Sequence, residues 1–183
     1  LPEHIFQQEY EAHFLDSAAT AFRNVRKCVR DKCLEDARPG ESYIMGVDLG
    51  KYRDFTAISV VRRSANKVVY WERFKDIDWV LQKKRIEAVS RRYNGARIVL
   101  DSTGLGDPIS DDLQREGIVV DDFKFTKQSR RQLLEKLGLF IEQQNIYYPY
   151  EEILLDELES IRLEIKETQL VYSTPEGRHD DSV

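Results

Sequence analysis

Tyr43-Ile44-Met45-Gly46-Val47-Asp48-Leu49-Gly50 is the stretch that decides how this chain reads. A β-branched and apolar run of that length predicts a buried strand, and Gly50 marks the turn behind it. A carboxylate on such a strand costs free energy unless it is paired, hydrogen-bonded or bound to a metal. Asp48 therefore needs a partner. A second run, Ala96-Arg97-Ile98-Val99-Leu100-Asp101, ends on an aspartate in the same way, and Ser102-Thr103-Gly104 opens a loop after it. A third acidic pair, Asp180-Asp181, follows His179 near the last residue. Carboxylates from three distant segments point to a metal site.

Outward from Tyr43–Asp48, the pattern predicts a meander. Thr56–Arg62 and Lys67–Phe74 read as the next two strands, with Arg63-Ser64-Ala65-Asn66 as their turn. Asp76 to Tyr93 has apolar residues at helical spacing and stops at Asn94-Gly95. The strand Ala96–Asp101 follows, then a short helix from about Gly104 to Gly117, then a fifth strand over Ile118–Phe123. Thr126 is placed to cap a long helix reaching about Asn145, a further helix runs from about Glu151 to Ile161, and residues 163–174 alternate as a hairpin. Hairpins followed by right-handed crossovers onto one sheet give an α/β fold with a mixed five-stranded sheet flanked by helices. The first and fourth strands of that order can lie side by side and parallel. Asp48 and Asp101 would then meet at the carboxyl ends of neighbouring strands, where open α/β sheets hold their ligands.

Before Tyr43, residues 3–34 read as helical, with Phe6, Tyr10, Phe14, Phe22, Val25 and Val29 on one stripe, and Arg38-Pro39-Gly40 breaks the pattern. Residues 1–40 are thus expected to be a helical lead-in, and 41–183 the domain that carries the acids.

At 183 residues, 41% hydrophobic and 33% charged, the chain can bury a core of its own. No stretch approaches the roughly 20 apolar residues of a membrane-spanning helix, and the first residues lack the basic and apolar regions of a signal peptide. An intracellular protein is expected. Cys28 and Cys33 are its only cysteines and have no zinc-ligand spacing, so free thiols are expected. The formal net charge of −5 argues against a protein that coats nucleic acid through bulk positive charge. Basic residues nevertheless cluster near Arg23–Lys32, Lys83–Arg92 and Lys124–Arg131, and each cluster taken alone reads as the solvated side of a helix.

Oxygen ligands without cysteine suit a hard divalent cation, Mg²⁺ or Mn²⁺. Two such ions about 3.5–4 Å apart organise an in-line displacement at phosphorus, and phosphodiester hydrolysis is the reaction that fits. The plainer alternative is that Asp48 and Asp101 only cap turns at strand ends.

Gly46-Val47-Asp48-Leu49-Gly50, Asp54-Phe55-Thr56-Ala57, Val99-Leu100-Asp101-Ser102-Thr103-Gly104 and His179-Asp180-Asp181, in that order and spacing, resemble the nuclease domain of the large terminase subunit of tailed bacteriophages. Phe6–Phe14 is similar to the segment that joins that family's packaging ATPase to its nuclease. The resemblance covers nearly the whole chain. It implies an RNase H-like fold and a metal-dependent DNA endonuclease, of two-metal-ion type, that cuts concatemeric viral DNA during genome packaging. Carried over by position, Asp48 and Asp101 match the first two metal-binding acids, and the third falls in Asp180-Asp181, with Asp181 favoured. His179 would bind a second ion, orient water or touch phosphate, or be an ordinary surface histidine at a helix start. Asp54 would be a peripheral ligand through water, or an ordinary turn aspartate.

The resemblance further implies double-stranded DNA as substrate and a packaging ATPase domain in the same polypeptide. It also implies a small terminase subunit and a portal as partners, and the host cytoplasm as location. No G-x-x-x-x-G-K-[ST] phosphate loop occurs, so residues 1–40 are expected to lead in from a separate ATPase part. Lys127, Arg130, Arg131 and Arg178 are the candidate DNA contacts, and with a net charge of −5 the binding is expected to be weak and to fall steeply with salt. The rival readings are another RNase H-like nuclease, such as a junction resolvase or transposase, and a non-catalytic packaging module. An actin-like or sugar-kinase ATPase would need a second related domain, for which 183 residues leave no room.

Overall fold

The structure is a computed structural model and describes residues 19–30, 34–50, 55–101, 106–166 and 169–175. Its contacts gather the chain into two compact units, one from Asp31 to Phe125 and one joining the residues up to Arg30 with those from Thr126 onward. No helix among the described residues is long and apolar enough to cross a membrane.

The Asp31–Phe125 unit holds the expected mixed sheet. Strands β2 (Tyr43–Asp48), β3 (Thr56–Arg62), β4 (Lys67–Phe74), β5 (Arg97–Asp101) and β6 (Val120–Phe123) lie in the order β4-β3-β2-β5-β6. β2, β3 and β4 form the antiparallel meander, while β5 runs parallel to both β2 and β6. Between β3 and β4 the chain makes a 3₁₀ turn over Arg63–Ala65 and reverses at Asn66, whose φ of 46° lies in the left-handed region that asparagine tolerates.

Helix α1 (Trp79–Arg92) crosses from β4 to β5, and α2 (Gly106–Arg115) crosses from β5 to β6. The Asp78 carboxylate caps α1 by accepting from the Val80 amide at 2.8 Å. Asn94 and Gly95, both at positive φ, end it at the predicted stop. Met45, Val47, Ile58, Val60, Ile98 and Leu100 form one face of the sheet, and Ile86 and Val89 of α1, Tyr93 just past its end, and Ile109 and Leu113 of α2 close over it. Full burial of each large aliphatic side chain in this layer contributes about 1.5–3 kcal/mol. Tyr93 joins the layer to the segment before β2: its ring meets Tyr43 edge-on at 5.4 Å, and its hydroxyl donates to the Glu35 carbonyl at 2.8 Å.

The other unit holds a smaller sheet of β1 (Ala19–Thr20), β7 (Arg162–Lys166) and β8 (Gln169–Ser173), in the order β1-β7-β8. It also contains α3 (Lys127–Glu142) and α4 (Glu152–Ser160). Thr126 caps α3 as expected: its hydroxyl accepts from the Ser129 amide at 3.0 Å, and Ser129 closes a reciprocal capping box. β7 and β8 are the predicted hairpin.

One expectation fails here. The continuous helix over residues 3–34 is absent from 19–30, which instead form β1 and a 3₁₀ turn at Val25–Cys28; residues 1–18 and 31–33 lie outside the described set. Asn24, at φ 65°, interrupts any helix before that turn. Ala19 and Thr20 pair with Leu163 and Arg162, and Ala21, Phe22 and Val25 are buried. Phe22 and Val25 are buried without a helix, in a segment whose strand β1 pairs with a strand more than 140 positions away. Arg26 fixes the turn by reaching Glu152 at 3.3 Å, Asp156 at 3.9 Å and Glu159 at 2.9 Å, all on α4. Cys28 is a free, buried thiol that donates to the Ile141 carbonyl at 3.3 Å, as its spacing predicted; Cys33 lies outside the described residues.

Candidate active site

Register decides where the two described acids stand. β2 and β5 pair in parallel up to Val47 and Leu100, so Asp48 and Asp101 follow side by side, one step beyond, at the carboxyl ends of both strands. Neighbouring strands lie about 4.8 Å apart, which brings the two carboxylates within reach of one ion. Alternation turns both acids to the opposite face from buried Val47 and Leu100.

Burial corrects one premise. Asp48 is exposed and Asp101 half-buried, so Asp48 is not a charge forced into a core. It ends a strand whose alternate residues are buried, and the open end gives its carboxylate to solvent. Its neighbour on β5, rather than the cost of burial, marks it as a functional candidate.

The same rung extends across the sheet. Asp48 pairs with Ala57 on β3, Ala57 pairs with Arg73 on β4, and Asp101 pairs with Phe123 on β6. The rung therefore reads Arg73, Ala57, Asp48, Asp101, Phe123, with all five side chains on one face. Two residues back on the same face, Gly46 pairs with Ser59, and a Cβ on Gly46 would stand 3.2 Å from the Ser59 hydroxyl. The absent side chain keeps the surface low beside Asp48.

A buried polar chain holds the turn that follows Asp48. The Gly50 amide donates to Thr56 Oγ1 at 3.0 Å, the Thr56 hydroxyl donates to Gln82 Oε1 at 2.8 Å, and Gln82 Nε2 donates to the Ile77 carbonyl at 2.8 Å. Thr56 and Gln82 are almost fully enclosed, at 1% and 6% exposure. Buried polar atoms so paired resist displacement, because any break leaves a donor or acceptor without water. The chain tethers the Leu49-Gly50 turn to the first strand residue of β3 and to α1.

Two hard carboxylates in adjacent positions fit a Mg²⁺-like cation by donor chemistry. Among the described residues no cluster of three His, Cys, Asp or Glu side chains stands ready for a metal. Asp54, Arg178, His179, Asp180 and Asp181 lie outside the described residues. Lys127, Arg130 and Arg131 begin α3, which belongs to the other unit; Lys127 and Arg130 are exposed, and Arg131 is held by Glu135 at 2.6 Å. Several other basic residues are likewise engaged by acids: Lys83 by Asp112, Arg85 by Glu72, Arg91 by Glu87 and Arg92 by Asp36.

A family model described as the terminase RNaseH-like domain matches residues 45–183. The chain belongs to this terminase family. Its relatives include the large terminase subunit of Thermus virus P23-45, 31% identical over 172 residues, covering 88% of this chain and 35% of that protein. This chain thus spans about a third of the length of the curated relatives it matches. Among solved structures, the large terminase nuclease from thermophilic phage G20c with bound magnesium aligns with a TM-score of 0.81 and 27% identity, covering 88% of this chain and 91% of that one. That nuclease has also been solved with cobalt and with zinc. The nuclease domain of the Thermus phage P74-26 large terminase aligns with a TM-score of 0.80 and 25% identity, covering 89% of this chain and 90% of that one. The mixed five-stranded sheet is therefore the RNase H-like sheet of terminase nucleases, as the sequence motifs implied.

Two residues beside Asp48 carry no signal in the sequence that relates them to it. Thr56 lies inside the Asp54–Ala57 motif, but its partner Gln82 carries no signal at all, sitting in a helix otherwise read for its apolar face. Arg73 was a strand residue without a role, and only its rung position relates it to Asp48.

Proposed function

We propose that this chain is the DNA-cutting part of a large terminase subunit, a metal-dependent endodeoxyribonuclease that cleaves concatemeric viral DNA during packaging. The observation that carries the reading is the side-by-side placement of Asp48 and Asp101 on adjacent parallel strands of a terminase nuclease fold. Asp48 and Asp101 would hold Mg²⁺ or Mn²⁺, with Asp181 or its neighbour Asp180 as the third acid and His179 and Asp54 at the margin. A bound magnesium in the G20c nuclease supports a divalent ion of this class. Two divalent ions supply an activated water and charge stabilisation for the departing oxygen.

Within this reading the protein's own residues do the positioning. Asp48 and Asp101 stand at the ends of neighbouring central strands, where their carboxylates would hold the divalent cation. The Gly50–Thr56–Gln82 chain keeps the turn after Asp48 from drifting when the carboxylates take up charge. Lys127, Arg130 and Arg178 supply phosphate contacts, with Arg131 shared with Glu135. Because those contacts are few and the net charge is −5, the chain binds DNA weakly and relies on a partner domain to hold the duplex.

The test is plasmid nicking in Mn²⁺ by the parent, Asp48→Ala and Asp101→Ala. Loss of cleavage in both variants with unchanged circular dichroism supports the reading; equal cleavage by all three proteins rejects it.

A further inference from the structure

The rung that carries the two acids ends on an aromatic side chain. Phe123, the last residue of β6, is the Cα partner of Asp101, one strand spacing or about 4.8 Å away, and its side chain emerges on the same face as the acids. Its ring meets that of Phe125 edge-on, with centroids 5.0 Å apart and planes at 73°. β6 is the outer strand of the sheet, so the pair stands at its rim. Phe123 is half-buried, whereas Phe125 is 44% exposed. Among the described residues of the Asp31–Phe125 unit, Phe125 is the one exposed aromatic. Edge-to-face contact with Phe123 favours one orientation of that exposed ring.

An apolar side chain standing alone on a surface needs no explanation. This pair differs by its place, on the rung of the acids, and by what the surrounding charges do. Lys83, Arg85, Arg91, Arg92 and Arg97 of the same unit each already face an acid, and the formal net charge of the chain is −5. A nucleobase offers something that needs no cation. Its π-face stacks on an aromatic ring whatever the base, and that contact releases no counterions. An exposed ring beside the acids therefore adds hold on a strand without adding positive charge.

Resting on the nuclease reading, we propose that Phe125, braced by Phe123, stacks on an unpaired nucleobase of the substrate strand next to the cut, on the β6 side of the metal acids. One strand spacing from Asp101 to Phe123, and 5.0 Å from ring to ring, put the Phe125 ring about 10 Å from the acids. Nucleotides along a strand rise by about 3.4 Å each, so the stacked base lies within roughly three nucleotides of the scissile phosphate. A base inside a duplex has both faces covered by its neighbours. The contact therefore selects DNA whose pairing is opened near the cut. Phe125 is a strand-binding residue, remote from the reacting phosphate, and it holds the strand in register over Asp48 and Asp101.

The experiment measures binding of a short fluorescein-labelled single strand by anisotropy in EDTA across a series of KCl concentrations, so no metal chemistry enters. A strand of the same length built of abasic sites keeps every phosphate and lacks the bases. The parent should bind the base-bearing strand roughly five- to hundredfold more tightly than the abasic one, the range expected for one base–aromatic stack. Phe125→Ala should lose most of that preference while its affinity for the abasic strand and its salt slope stay unchanged, because no phosphate contact is removed. Phe125→Leu, apolar but without a π-face, should fail as alanine does, and Phe125→Trp should restore the preference. Phe140→Ala, which removes a comparably exposed ring from the other unit, should keep it. Equal preference in the parent and Phe125→Ala would overturn the proposal, as would full preference in Phe125→Leu or an equal loss in Phe140→Ala. Light scattering that shows a dimeric parent and a monomeric Phe125→Ala, with strand binding unchanged, would also overturn it, since the ring would then face a second copy of the chain. Plasmid cleavage in Mn²⁺ runs beside these measurements. If the parent and Asp48→Ala cut equally while Phe125→Ala still loses its preference, the nuclease reading fails and the stacking contact stands.

Discussion

The Thr56 hydroxyl donates to Gln82 Oε1 at 2.8 Å while it accepts the Gly50 amide at 3.0 Å, so one buried oxygen ties the turn after Asp48 to helix α1. Thr56→Val removes that oxygen at nearly constant shape and leaves both Gly50 N–H and Gln82 Oε1 buried without it. Urea denaturation should give a loss of about 2–3 kcal/mol, against less than about 1 kcal/mol for Thr56→Ser, which keeps the hydroxyl. Calorimetric titration with Mn²⁺ should give weaker binding for Thr56→Val than for Thr56→Ser. Indistinguishable metal affinities would reduce the clamp to a purely structural role.

Asp48 and Asp101 are like charges on neighbouring strand ends, and without a cation they repel. Asp48→Asn should leave the metal-free melting temperature equal or slightly higher. It should also abolish the rise in melting temperature that Mg²⁺ causes in the parent. Cleavage of plasmid DNA in Mn²⁺ should fall by at least about a hundredfold, as expected when a ligand to the catalytic ions is lost. A variant that keeps both the Mg²⁺-induced shift and the activity would remove Asp48 from the site.

Glu35 accepts from Lys67 at 2.5 Å and from Arg62 at 2.6 Å, and these cations, Lys67 first, hold its carboxyl below the ordinary value of 4.5. A carboxyl depressed in the folded state stabilises the protein above its unfolded pKa and loses that contribution as pH falls through the folded value. Glu35→Gln should therefore cost about 3 kcal/mol near neutral pH, because Arg62, only 7% exposed, loses its counter-charge. Its stability should then change less than the parent's between pH 5 and more acid conditions, roughly the window where that carboxyl titrates. Parallel stability curves for the two proteins would contradict the assignment.

Gly46 and Ser59 face each other across β2 and β3 at a separation that leaves little room for a methyl group. Gly46→Ala alone should destabilise by about 1 kcal/mol, and Ser59→Ala in the same protein should recover most of that loss. Purely additive effects in the double-mutant cycle would mean that the Ser59 hydroxyl simply rotates away.

Much of the sheet was legible before any coordinates. The period-two runs at 43–48, 56–62 and 67–74, the Asn94-Gly95 stop and the Thr126 cap all lie where they were expected, because each depends on residues a few positions apart. Residues 19–30 were misread for the opposite reason. Phe22 and Val25 are buried as a helical stripe would be, but the strand just before them pairs with β7, and no local pattern announces a strand pairing across more than 140 residues. Lys127, Arg130 and Arg131 were correctly placed at the start of a helix, yet the intramolecular engagement of Arg131 by Glu135 is a matter of side-chain geometry that spacing only permits.

The candidate site divides along the same line. That Asp48 and Asp101 end two apolar strands, and that the motifs around them follow the order of terminase nucleases, is written in the order of the residues. The exposure of Asp48, the reach of Gln82 to Thr56, and the rung that Arg73, Ala57 and Asp48 share with Asp101 come from the folded chain alone. Strand formation follows from side-chain alternation within a few residues. Register follows from pairing between segments far apart in the chain, where a slip of one residue would turn every one of these side chains to the other face.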